Sequence, residues 1–168
     1  ELRRLFKKLC LHSKIVLIMT SVLIVSGTLA FLLLEYNNPG TIGDMSFGEK
    51  LMSSLFHSVS TRTAGFATVP QGELTQGTMF TTCILMFIGG SPGGTAGGVK
   101  TTTIAMLILC CVSVLQNKKD VECFGRRIDD SVIKNAATIL MMYLTLFLTG
   151  GIIISCIEGL PMRICLFE

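Results

Sequence analysis

The sequence predicts an all-α membrane protein, and three observations carry that prediction. Half of the 168 residues are apolar, only 15% are charged, and the mean hydropathy is +0.66. Residues 15–34 and 135–157 are runs of 20 and 23 residues without a charge. About 20 mainly apolar residues cross the roughly 30 Å of hydrocarbon in a bilayer. A chain this short also has too little interior to hide so much apolar surface from water. A soluble enzyme, a disordered chain and a secreted disulfide scaffold are excluded. A net charge of +3 is too small to suggest nucleic acid. Of seven cysteines, Cys83, Cys110, Cys111 and Cys156 sit in apolar runs and Cys10 and Cys123 in basic segments. No spacing matches a zinc site or a redox pair, so reduced thiols are expected.

Residues 1–14 are a basic segment, and 15–34 is the first transmembrane helix. The start at Glu1 is basic and then apolar, with no signal-peptidase site after it. The chain is expected to be a piece of a longer polypeptide. Residues 46–60 are a different kind of element. Ser46 followed by Glu49 is a capping pattern that begins a helix. That helix is about 14 residues long, too short to cross a bilayer, and it runs into the polar stretch TRTAGFATVP. A short helix that enters and turns back through 61–69 is a re-entrant pore helix with its loop. Non-helical backbone at that depth needs protein or a watery cavity around it.

Residues 75–115 hold Lys100 as their only charge. As one straight helix they would measure about 60 Å, twice the hydrocarbon thickness. The economical reading is one crossing, broken by the glycine-rich loop 89–98. Gly89, Gly90, Gly93, Gly94, Gly97 and Gly98, with Pro92, give a composition that disfavours helix in any solvent. Residues 116–134 form a loop, 135–157 the last transmembrane helix, and 158–168 an extracellular segment.

Charge fixes the expected orientation. Arg3, Arg4, Lys7, Lys8 and Lys14 precede the first span, and Lys118, Lys119, Arg126, Arg127 and Lys134 lie in the 116–134 loop. The positive-inside rule places both in the cytoplasm, in a multi-pass protein of the cell membrane. A single crossing by 75–115 satisfies this; a hairpin would not.

Helix, re-entrant half-helix, loop and helix make a pore-loop unit. A half-helix entering from outside points its partially negative C-terminal end toward the membrane centre, which favours a cation there. In the loop that follows, Gly65 lets a carbonyl turn toward an axis. Thr63, Ala64 and Gly65 would offer carbonyl oxygens in place of the hydration shell of K+. Phe66 and Thr68 would brace the loop from behind, and Arg62 would bond loop carbonyls. Taken alone, the same residues also fit an extracellular turn with one glycine.

The motifs LFHSVSTRTAGFATV and, about 20 residues on, MFIGGSPGGTAGGVKTTT, with MSFGEK before and FGRRI after, resemble the Trk/Ktr potassium transporter family. The pattern is most similar to the third repeat and start of the fourth in a Ktr-type membrane subunit. The resemblance covers nearly the whole chain. It implies four helix–pore-loop–helix repeats around one axis, each giving one filter strand. It implies a potassium filter at Thr63, Ala64, Gly65 and Phe66, with Arg62 and Thr68 in support. It further implies an intramembrane gate at Gly89, Gly90, Ser91, Gly93, Gly94, Thr95, Gly97, Gly98 and Lys100. A homodimer, a cytosolic nucleotide-binding regulatory subunit and possible Na+ dependence are implied as well, with no cofactor and no enzymatic reaction. His57 stands where the pattern expects Gln or another polar residue. One filter loop of the required four is present, so this segment alone should not conduct.

Two rivals remain. A nucleotide-binding P-loop would read SPGGTAGGVKTTT as a phosphate cradle, but Val99 separates Gly98 from Lys100, and no magnesium-holding strand follows. A non-potassium permease would use Gly93 with Gly97, and Gly94 with Gly98, merely to pack helices. Lys100 is expected to snorkel toward the cytoplasm from the end of the loop. Neither His57 nor His12 has a plausible metal partner.

Overall fold

The computed structural model describes residues 9–62, 64–93, 96–118, 120–123, 126–159 and 161–167. Of the residues singled out above, Thr63, Gly94, Thr95, Lys119 and the basic residues of 1–8 lie outside them.

The chain is mostly helical. Helix α1 spans Leu11–Glu35 and begins four residues ahead of the charge-free run, because Lys14 already closes the first turn onto the Cys10 carbonyl at 3.2 Å. Helix α2 spans Phe47–Ser60. At its start the Ser46 amide donates to Glu49 Oε2 at 2.9 Å, satisfying one of the donors a helix start leaves open. A 3-10 turn at Gln71–Glu73 leads to α3, Gln76–Phe87, whose first turn is capped by the Thr75 hydroxyl accepting from the Thr78 amide. Helix α4 spans Thr101–Leu115, and α5 runs over Asp130–Glu158 to Gly159, whose φ of 66° ends the helix in the left-handed region. Helix α6, Met162–Phe167, lies within 158–168.

The stretch between α4 and α5 holds a small antiparallel hairpin as well as loop. Strands β1, Glu122–Cys123, and β2, Arg126–Arg127, pair Glu122 with Arg127 and Cys123 with Arg126. The Ser113 hydroxyl holds the Asp120 carbonyl at 3.0 Å, and Arg127 pairs with the Asp120 carboxylate at 3.0 Å. These polar closures were not visible as a pattern in the sequence.

Helices α1 and α5 are long and apolar enough to cross a membrane. Helix α1 is the hub, touching α2, α3 and α4. In α5, by contrast, only Ala136 and Gly151 are buried. Two apolar clusters sit at opposite ends of α1. At its start, Ile15 packs with Ala105, Cys123 and Ile128; near its end, Phe31 packs with Ile42, Val69 and Leu74.

Candidate functional site

The end of α2 sets the geometry of the following loop. The Ser60 carbonyl accepts from the amides of Ala64 and Gly65 at 3.0 and 3.1 Å, and the Ser60 hydroxyl donates to the Phe66 carbonyl. One serine therefore grips the loop from both sides. Gly65 has a φ of +74° and an open surrounding, so the backbone angle and not the space calls for glycine there.

The supporting residues differ from expectation. The Phe66 ring is 71% exposed, so it does not brace the loop among the described residues. Ser60, a residue the sequence reading passed over, does. The Thr68 hydroxyl lies 3.4 Å from that of Ser53 on α2. Arg62 is half-buried, with Nε lacking a hydrogen-bond partner among the described residues, so this nitrogen makes no bond to a loop carbonyl. Thr63 lies outside the described residues.

Below the loop, residues 88–100 fold back on themselves. Ile88 and Val99 form an isolated parallel bridge, with the Val99 amide donating to the Phe87 carbonyl at 2.9 Å and the Thr101 amide to Gly90 at 3.3 Å. The arms touch backbone to backbone: a Cβ on Gly89 would lie 1.7 Å from the Gly97 oxygen. Ser91 and Gly90 are half-buried, while Gly93 and Gly97 are exposed. The Thr101 hydroxyl is buried without a hydrogen-bond partner among the described residues. Lys100 departs from the expected snorkelling. Its ammonium turns back onto the loop and donates to the Ala96 carbonyl at 2.5 Å, a charge-assisted bond that stands in for lost hydration.

Both segments line one cavity of about 450 Å³, to which the loop contributes Gly65 and Phe66 and the glycine segment Gly97 and Gly98. His57, Ser60 and Thr82 also face it. His57, left without a role in the sequence reading, is buried, shares a 3.1 Å hydrogen bond with Thr82 of α3, and lies with its ring 4.2 Å from that of Phe31. Among the described residues no cluster of metal-ligating side chains is present.

The fold and this site define a mostly helical membrane protein with a polar backbone loop facing a glycine segment. Residues 1–166 match the family described as TrkH, cation transport protein, and the chain belongs to that family. It is 35% identical to the potassium/sodium uptake protein NtpJ of Enterococcus hirae over 92% of this chain and 34% of that protein. It is 34% identical to the Ktr system potassium uptake protein B of Bacillus subtilis over 98% of this chain and 37% of that one. The protein of the same description from Vibrio alginolyticus is 32% identical, over 99% and 36% respectively. The chain thus spans about a third of the length of these relatives.

Proposed function

We propose that this chain forms one pore-loop repeat, and the first helix of the next, in a Trk/Ktr-type subunit that takes up K+ across the cell membrane. Residues 61–69 are the filter loop, with the carbonyls of Thr63, Ala64 and Gly65 replacing water around the ion. Phe66 completes the filter stretch. Residues 88–100 are the gate beneath it, within a transmembrane helix made of α3 and α4. The N-terminus and the 116–134 segment face the cytoplasm. The observation that carries this reading is the shared cavity. It brings Gly65, at a φ that favours glycine, into the same lining as Gly97 and Gly98. The C-terminal end of α2, with its partial negative charge, faces the same region and favours a cation.

The named functions of the relatives support K+ as the ion, and the potassium/sodium description of the Enterococcus hirae protein supports a part for Na+. A homodimer and a cytosolic nucleotide-binding regulatory subunit rest on the family resemblance. The P-loop reading needs a strand before the glycines, whereas Gln76–Phe87 is a helix.

Gly65→Ser in the full-length transporter tests the filter. In a bacterium lacking its own potassium uptake, the variant should reach the membrane and need markedly more K+ for growth, with Na+ competing for entry. Unchanged uptake affinity and unchanged Na+ exclusion would remove the filter from residues 63–66.

A further inference from the structure

We infer that Glu35 is the positioning residue of the filter: its carboxylate ties together the two ends of the segment on which α2 and the loop are strung. The inference rests on the filter reading above. The chain leaves α1 at Glu35 and returns to α3 at Thr75, and both ends converge on this one side chain. Glu35 is fully buried, at 0% exposure. Its Oε2 accepts from Asn38 Nδ2 at 2.6 Å and from the Thr41 hydroxyl at 2.8 Å, both on the outgoing chain. Its Oε1 accepts from the Thr75 amide at 2.9 Å, the Thr75 hydroxyl at 2.8 Å and the Thr78 hydroxyl at 2.5 Å, all on the returning chain.

Each oxygen takes one donor that cannot accept, Asn38 Nδ2 on Oε2 and the Thr75 amide on Oε1, and three threonine hydroxyls complete the set, which suits an ionised carboxylate. Among the described residues no lysine or arginine pairs with it. A buried charge is tolerated only when its hydrogen bonds are complete. The anion therefore dictates where residues 38–41 and 75–78 must sit. Further ties join the segment to its flanks. Lys50 Nζ donates to the Tyr36 carbonyl at 2.9 Å, and the Ser58 hydroxyl donates to the Ile24 carbonyl at 2.9 Å. His57 meets Thr82 on α3. Glu35 closes the base of a unit whose tip is Gly65.

The position recurs. When the ends of α1 and α5 are aligned, Leu17, Met19, Leu23, Gly27 and Glu35 fall on Leu140, Met142, Leu146, Gly150 and Glu158. Both apolar helices end on a glutamate eight residues after a glycine. In this structure Glu158 is exposed, whereas Glu35 is buried, so the recurrence is one of sequence position.

Glu35→Gln in the full-length transporter removes the charge and turns one acceptor into a donor facing donors. In the uptake-deficient bacterium it should raise the K+ concentration for half-maximal uptake about tenfold, ~1.4 kcal/mol, with maximal rate and membrane amount within about twofold of the parent. Na+ should begin to compete. Thr78→Val, a milder change, should shift affinity in the same direction, and adding it to Glu35→Gln should bring no further loss, because the two share one interaction. If Glu35→Gln does not reach the membrane, Thr78→Val carries the test by the same readouts. A fall in membrane amount that accounts for all lost uptake, with affinity and ion discrimination intact, reduces Glu35 to ordinary folding support and overturns the inference. Gly65→Ser separates the two layers. If it alters discrimination and the Glu35 and Thr78 variants do not, the positioning role alone fails; if it also leaves discrimination unchanged, the filter reading and this inference fall together.

Discussion

Six glycines in residues 89–98 look alike in the sequence, yet the described ones differ in their surroundings. A methyl group on Gly89 would meet the Gly97 carbonyl at 1.7 Å, backbone against backbone, with no flexible side chain to yield. A methyl group on Gly97 would meet nothing within 4 Å, and its φ is not among the positive ones. Gly89→Ala should therefore destabilise the protein by about 2 kcal/mol, the usual scale of overpacking, while Gly97→Ala should stay within about 0.5 kcal/mol. Thermal unfolding of the detergent-solubilised protein reads both; equal effects would mean that the arms do not touch. Composition marks the segment as unable to be helix, but which glycine is obligatory depends on the meeting of two arms, which no local pattern encodes. Glu35 was illegible for a similar reason. It sits one residue beyond the charge-free run, and its donors at Thr75 and Thr78 are 40 and 43 residues away.

At the scale of elements, what is local was legible. Ser46 and Glu49 mark the start of α2 because the capping contact spans three residues. The glycines and Pro92 mark the interval between α3 and α4 because each disfavours helix by itself. The hairpin at 122–127 was not legible, since two-residue strands carry no periodicity and depend on packing against Ile15 and Ala105. The interval 88–100 also admits a direct test of its proposed role as a gate. Its ends are already stitched together, by Val99 to Phe87 at 2.9 Å and Thr101 to Gly90 at 3.3 Å. Removing Ser91–Gly97 would bond Gly90 directly to Gly98, and because a parallel pairing needs a crossover between its arms, the bridge is lost with the loop. Potassium flux through the full-length transporter should then rise and lose its control by the proposed regulatory subunit. A shortened protein that reaches the membrane with unchanged or lost flux would make the segment a structural hinge.

For the whole molecule, the proposed orientation draws on charge and packing together. Five of the fourteen lysines and arginines lie in 1–14 and five more in 116–134. The cluster of Ile15, Ala105, Cys123 and Ile128 joins the start of α1 to the hairpin, so Lys14 on α1 and Arg127 on β2 lie toward one end of the described structure. Phe31, Ile42, Val69 and Leu74 form the other end. Leu74 belongs to one of these clusters and Cys123 to the other, and the proposed single crossing by 75–115 would join them. Cys123 would be the obvious reporter for labelling, but it is 7% exposed and burial pushes its thiol up, so it would react slowly from either side. Cys10 is the better reporter. It is exposed, and the hydrogen bond with the Ser13 hydroxyl, 3.1 Å away, holds its thiol below the usual range. A lowered thiol becomes thiolate at lower pH, so its alkylation should begin to climb at a pH where an ordinary thiol is still protonated. Ser13→Ala should move that rise back to higher pH. In a variant of the full-length transporter keeping Cys10 as its sole cysteine, an impermeant maleimide should leave intact cells unlabelled and label inverted membrane vesicles. Strong labelling of intact cells would reverse the orientation, and with it the side from which α2 and its loop approach the ion.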